Sequence, residues 1–139
     1  MYEPIRTKSV HTPVGSADFP HRSREEELDI QLAGHLGALL AVTDELRGLE
    51  SSADLDAAAE RLARQVSRLR GGRPPVRTSS SGLHEPRLVA LHERAHALAG
   101  RALVVAASRA DTAAAILAAE RMDAHAAALA GAARELAPH

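Results

Sequence analysis

Four stretches of the chain carry apolar residues at alternating three- and four-residue steps, the spacing that keeps one stripe of a helix facing a partner. The first runs Leu28, Leu32, His35, Leu39, Val42, Leu46, Leu49, an unbroken stripe with one histidine in it. The second is Leu55, Ala59, Leu62, Val66, Leu69. The third is Leu88, Leu91, Ala95, Leu98, Ala102, Val105. The fourth is Ala115, Ala118, Met122, His125, Leu129, Ala132, Leu136. No segment alternates with the two-residue period of a strand, and no solenoid repeat is present.

Local signals bound these stretches. Ser23 and Glu26 form an S-x-x-E capping box, which satisfies free helix N–H groups reciprocally and starts helix one at 23. Gly48 and the Ser51-Ser52 pair end it near 49. Asp54 and Asp56 sit where the positive end of the second helix dipole favours carboxylates, and Glu60 to Arg64 forms an exposed i,i+4 pair. That helix spans 53–70 and stops at Gly71-Gly72. Residues 71–85 hold paired Gly, paired Pro and three consecutive Ser, the composition of a loop.

Pro86 suits the first turn of a third helix over 86–108, because its missing N–H has no partner there in any case. Asp111 reads as the N-cap of a fourth helix over 111–136, with Ser108-Arg109-Ala110 as the connection. One continuous helix through this point is the alternative. Residues 1–22, with Pro4, Pro13 and Pro20 and no period, predict a flexible arm that precedes a single domain over 23–137. The fold class expected is all-α, an antiparallel four-helix bundle with a flexible N-terminal arm.

Composition narrows the function more than it identifies it. There is no cysteine, so disulfides and thiolate metal sites are excluded. No apolar run reaches the ~20 residues of a membrane helix, and 1–20 lack the apolar stretch of a signal peptide. A cytoplasmic protein is the expectation. The formal charge of −1 gives no global field for nucleic acid or an anionic membrane. Sixteen arginines against the single Lys8, thirty alanines and no asparagine read as the codon bias of a GC-rich bacterial genome. Arginine and alanine are therefore discounted as functional signals. Arg68, Arg70, Arg73 and Arg77 cluster around the loop, but no interleaved aromatic stands ready to stack on bases, and nucleic acid is not the expected partner. The only aromatics, Tyr2 and Phe19, lie in the arm, which makes it a candidate partner-binding segment. Helix four carries alanine on nearly every face, which predicts burial on more than one side and self-association through that helix.

Histidine supplies the candidate chemistry. His92-Glu93-Arg94-Ala95-His96 matches H-E-x-x-H, in which two histidines four apart on a helix chelate one zinc and the glutamate activates water. With Glu120 as third ligand, the string resembles the gluzincin metalloprotease pattern. Arg94, however, occupies a position that pattern keeps uncharged, and no strand is available to bind an extended peptide. If the helices run up, down, up, down, then His35, His92, His96 and His125 fall in one layer. Bundle cores host metal sites built in this way.

Those four histidines partly resemble the hemerythrin-type di-iron pattern. Helix two contributes no histidine, however, and Ala130 stands where that pattern has aspartate. The ligand set suits zinc, nickel or copper better than a di-iron centre. The same cluster, if buried, would act as a pH switch. No Cys, G-x-S-x-G, P-loop or Rossmann glycine pattern is present, so catalysis is not expected. The sequence thus predicts a non-catalytic interaction or regulatory accessory protein without a cofactor. The alternative is a small metal-binding bundle that uses His35, His92, His96 and His125 with a metal such as zinc, nickel or iron.

Overall fold

The computed structural model describes residues 23–77 and 85–136. The arm 1–22, the loop residues 78–84 and the terminal 137–139, His139 included, lie outside the described residues. Among the described residues four helices are formed: α1 (Arg24–Leu49), α2 (Ala53–Leu69), α3 (Glu85–Arg109) and α4 (Thr112–Leu136). The boundaries follow the expected signals. Glu26 N–H donates to Ser23 Oγ while Ser23 N–H donates to Glu26 Oε1, each at 3.0 Å, so the capping box is complete. Ser52 caps α2 by accepting from Leu55 N–H. Gly71 and Gly72 take φ of 69° and 92°, a left-handed conformation in which a Cβ is strained, and they end α2.

Between α3 and α4 the chain breaks rather than continuing. Ala110 turns through φ 60°, and Asp111 accepts from Ala114 N–H at 3.1 Å as the N-cap of α4.

Ion pairs between helices fix their direction. Arg109 at the end of α3 pairs with Asp29 near the start of α1, and Arg87 at the start of α3 pairs with Glu45 near the end of α1. So α3 runs antiparallel to α1. Arg77 donates to both oxygens of Asp44 at 2.7 and 2.9 Å, so the connection after α2 climbs back along α1 before α3 begins. Burial raises the Asp44 pKa, but hydrogen bonds from Arg77 and then Arg47 outweigh it and hold the carboxyl below its ordinary range. Arg68 at the end of α2 pairs with Asp111 at the start of α4, and Arg61 of α2 pairs with Glu120 of α4.

The order is therefore up, down, down, up. Neighbouring helices are antiparallel, but the third helix points opposite to the up-down-up-down assumption. The arginine-paired return of the chain along α1 is the reason. Glu60 and Arg64 do not form the expected ion pair, while Arg61 on the same helix pairs across to Glu120 of α4.

Helix α1 packs on both α2 and α3, and α4 packs mainly on α3. Burial on two sides widens the α1 stripe: Leu36 and Leu40 join Leu32, Leu39 and Leu46 as fully buried, and His35 is left half-buried at its edge. Buried Thr43 donates to Leu39 C=O at 2.8 Å, which satisfies its hydroxyl. Opposite these leucines α3 contributes Ala95, Ala99, Ala102 and Ala106, all fully buried, so large side chains on one helix meet small ones on the next. On α4 the buried stripe is Ala114, Leu117, Ala118, Arg121 and His125, rotated slightly from the predicted one and carrying an arginine. Its outer positions Ala113, Ile116, Ala126, Ala127, Ala130 and Ala133 are exposed. No helix among the described residues is long and apolar enough to cross a membrane.

Candidate functional site

The buried polar groups concentrate at the end of the bundle where α1 turns into α2. A cavity of about 350 Å³ opens there, lined by Glu50, Ser51 and Ser52 of the turn, Asp54 and Leu55 of α2, His92 of α3, and Arg121, Ala124, His125 and Ala128 of α4. Arg121 and His125 stand four apart on α4, hence on one face, and that face is the inward one. Arg121 is 3 % exposed and His125 1 % exposed.

A continuous polar chain runs through these side chains. Arg121 Nη1 donates to Asp54 Oδ1 and Oδ2 at 3.2 and 3.0 Å. Arg121 Nη2 lies 3.3 Å from His125 Nε2, and His125 Nδ1 lies 2.9 Å from His92 Nδ1. A guanidinium only donates, so His125 Nε2 accepts. The neutral His125 ring then carries its proton on Nδ1 and donates it to His92 Nδ1, which leaves the His92 proton on Nε2. Donation thus has one direction, from Arg121 through His125 to His92. Arg121 Nε–H has no protein partner.

Electrostatics favour neutral rings. Burial pushes the His125 pKa down to about 4, reinforced by Arg121 and then His92. Burial also lowers the pKa of His92, against a smaller raising effect from Glu50.

Of the four histidines expected in one layer, the structure brings His92 and His125 into contact. His96, half-buried one turn along α3, is close enough to act electrostatically on His125. His35 does not join them. With α3 running downwards, the Glu45–Arg87 and Asp29–Arg109 ties put His35 roughly 8–16 Å below the pair along the bundle axis. Among the described residues no three His, Asp or Glu side chains are grouped to hold a metal ion. The Nδ1 atoms of His92 and His125 are taken up by each other, and Arg121 occupies the approach to His125 Nε2. In the H-E-x-x-H string Glu93 is exposed beside exposed Arg94, and Glu120 faces α2 through Arg61 rather than the histidines. Of the loop arginines, Arg68 and Arg77 are committed to ion pairs.

No family model, no curated protein and no solved structure matches this chain. The resemblances to metalloproteases and hemerythrins therefore rest on the quoted residues alone.

Sequence reasoning missed two members of the chain. Arg121 was set aside with the other arginines as codon bias, although its i−4 relation to His125 places it on the seam. Asp54 was assigned only to the α2 dipole. At the other end of the bundle, Asp29–Arg109 and Arg68–Asp111 surround a smaller cavity of about 270 Å³ and serve as interhelix ties.

Proposed function

We propose that this chain is a non-catalytic interaction protein of the bacterial cytoplasm, a helical accessory module that pairs with a second copy of itself through α4. The outer face of α4 carries this reading. Its exposed positions from 126 to 133 are Ala126, Ala127, Ala130 and Ala133, all alanine, where a solvated helix normally carries charge. Small residues let two helices approach closely.

The face is also self-complementary. Asp123, Ala127, Ala130 and Arg134 follow 4-3-4 spacing along one outer stripe. In an antiparallel pair with its two-fold axis between 127 and 130, Ala127 of one copy meets Ala130 of the other, and Asp123 meets Arg134 twice. Neither Asp123 nor Arg134 has an ion-pair partner among the described residues. Polar groups elsewhere are engaged between helices: Arg61, Arg68, Arg109 and Arg121 tie the bundle, and His125 is held between Arg121 and His92. That pattern supports a scaffold more than a reaction centre.

Sedimentation equilibrium tests the proposal. The wild-type chain is expected at twice its 14.7 kDa mass at micromolar concentration. Ala127→Glu should sediment as a single chain with unchanged helicity, because each copy would then bury a carboxylate against Ala130 of the other, on both sides of the axis. A wild-type chain that stays single up to about 0.5 mM, where the association free energy would be weaker than about 5 kcal/mol, rejects pairing.

A further inference from the structure

We propose that the Asp54–Arg121–His125–His92 chain is a pH-sensitive latch, which holds α4 on α2 and α3 only while both imidazoles are neutral and releases when either takes up a second proton. The inference stands apart from self-association, since the outer face of α4 takes no part in it.

Hydrogen-bond direction makes the case. Each neutral imidazole has one donor and one acceptor, and here the three hydrogen-accepting positions are filled: Asp54 by Arg121, His125 Nε2 by Arg121, and His92 Nδ1 by His125. A proton added to His125 at Nε2 sets N–H against the guanidinium N–H 3.3 Å away. A proton added to His92 at Nδ1 sets N–H against N–H 2.9 Å away. Either event removes a hydrogen bond and leaves two like-directed donors in contact. The chain has no tautomer that accommodates the extra proton, because Arg121 cannot act as an acceptor.

Two carboxylates, Asp54 near His125 and Glu50 near His92, offset part of the added charge but do not outweigh burial. His125 faces Arg121 on its own helix, His92 and His96 on α3, and Asp54 on α2, with Glu50 of the α1–α2 turn acting on His92. Three of these groups are bases or a cation. Asp54 is engaged by Arg121, and Glu50 acts on His92 from an exposed position. Burial and Arg121 both depress the His125 pKa, the direction this geometry requires. His92 is half-buried and borders the cavity, so on protonation it has a route to water by leaving His125.

For a base whose folded pKa is depressed, the stability contribution is complete above the unfolded value. It is lost as pH falls through the window between the unfolded value near 6.5 and the folded value near 4. The latch therefore weakens progressively as pH falls below about 6.5, and His125 in the intact fold is half protonated only near pH 4.

Two measurements on the full chain decide the proposal. Long-range proton–nitrogen correlation spectra at pH 7.5 should show the Nδ1–H tautomer for His125 and the Nε2–H tautomer for His92, and the same spectra followed to lower pH should show His125 titrating near 4. Urea unfolding at pH 7.5 and 5.0 should show the wild-type unfolding constant rising about tenfold or more beyond that of the His92→Gln/His125→Gln variant. Glutamine can both accept and donate, so it can preserve the chain's direction without a titrating group. Equal acid losses in the two proteins, reversed tautomers, or a His125 ring that titrates at its ordinary value near 6.5 would each overturn the latch. Should the double variant fail to fold, the tautomers and ring titration of the wild type still decide.

Discussion

Leu36→Ala is expected to lower the stability of the bundle by about 2–5 kcal/mol, toward the upper half of that range. Leu36 is fully buried on α1, the helix covered on two sides, and the α1–α3 register places it opposite Ala99 and Ala102. What makes the loss large is the surroundings. A cavity shrinks when neighbouring long side chains rotate into it, and on this side the neighbours are alanines with no rotamer to change. No aromatic residue lies in the bundle to redistribute its bulk. Urea unfolding should show a lower midpoint with an unchanged dependence on denaturant. A loss below about 1 kcal/mol would mean that α1 does not sit between α2 and α3 as described.

The second large effect is Asp54→Ala, expected to cost about 2 kcal/mol at neutral pH. It leaves the Arg121 guanidinium, 3 % exposed, without its carboxylate while still donating to His125. Stranding one partner of a fully buried pair typically costs ~3–5 kcal/mol. The Asp54 side chain is 65 % exposed, so water reaches one side of the pair and the expectation is set lower. Adding Arg121→Met should recover part of the loss, because it removes the stranded charge while filling similar volume but leaves buried His125 Nε2 without its donor. Of the remainder, ~0.5 kcal/mol reflects the lost carboxylate in the first turn of α2. Thermal melts of the two single variants and the double variant measure this coupling. A destabilisation by Asp54→Ala no larger than that of a surface pair, with no recovery in the double variant, would show that Arg121 does not depend on Asp54.

The fold was legible where local chemistry is redundant. Ser23 with Glu26, Gly71-Gly72 and Asp111 each specify a helix boundary by a few atoms, and the Leu28–Leu49 stripe specifies the buried side of α1. None of these signals depends on how the helices are arranged. Connectivity was not legible, because the direction of α3 is decided by Arg77 and Arg87 finding Asp44 and Glu45 far along the chain. Periodicity carries no information about such pairings. That one reversal also undid the four-histidine layer, since heights along the axis depend on direction. His125 was correctly placed on an inward face, and its partner His92 was among the candidates. Arg121 escaped notice because a residue type common throughout the chain gives no contrast, even where it is buried.

The latch and the α4 face occupy opposite sides of one helix. His125 and Arg121 look into the bundle, while Ala127 and Ala130 look away from it. Alanine on the outer side and a polar chain on the inner side together account for why α4 is apolar around much of its circumference yet carries two of the three buried polar residues among the described residues.

Cross-linking through introduced cysteine tests the proposed pairing most directly, and the absence of native cysteine makes it clean. The Ala127→Cys/Ala130→Cys variant should form a covalent dimer under mild oxidation, with peptide mapping locating the disulfide between position 127 of one copy and position 130 of the other. Ala113→Cys, near the start of the same helix and far from the axis, should remain single. No covalent dimer from the double variant, or equal cross-linking at position 113, would contradict a self-associating bundle built on α4.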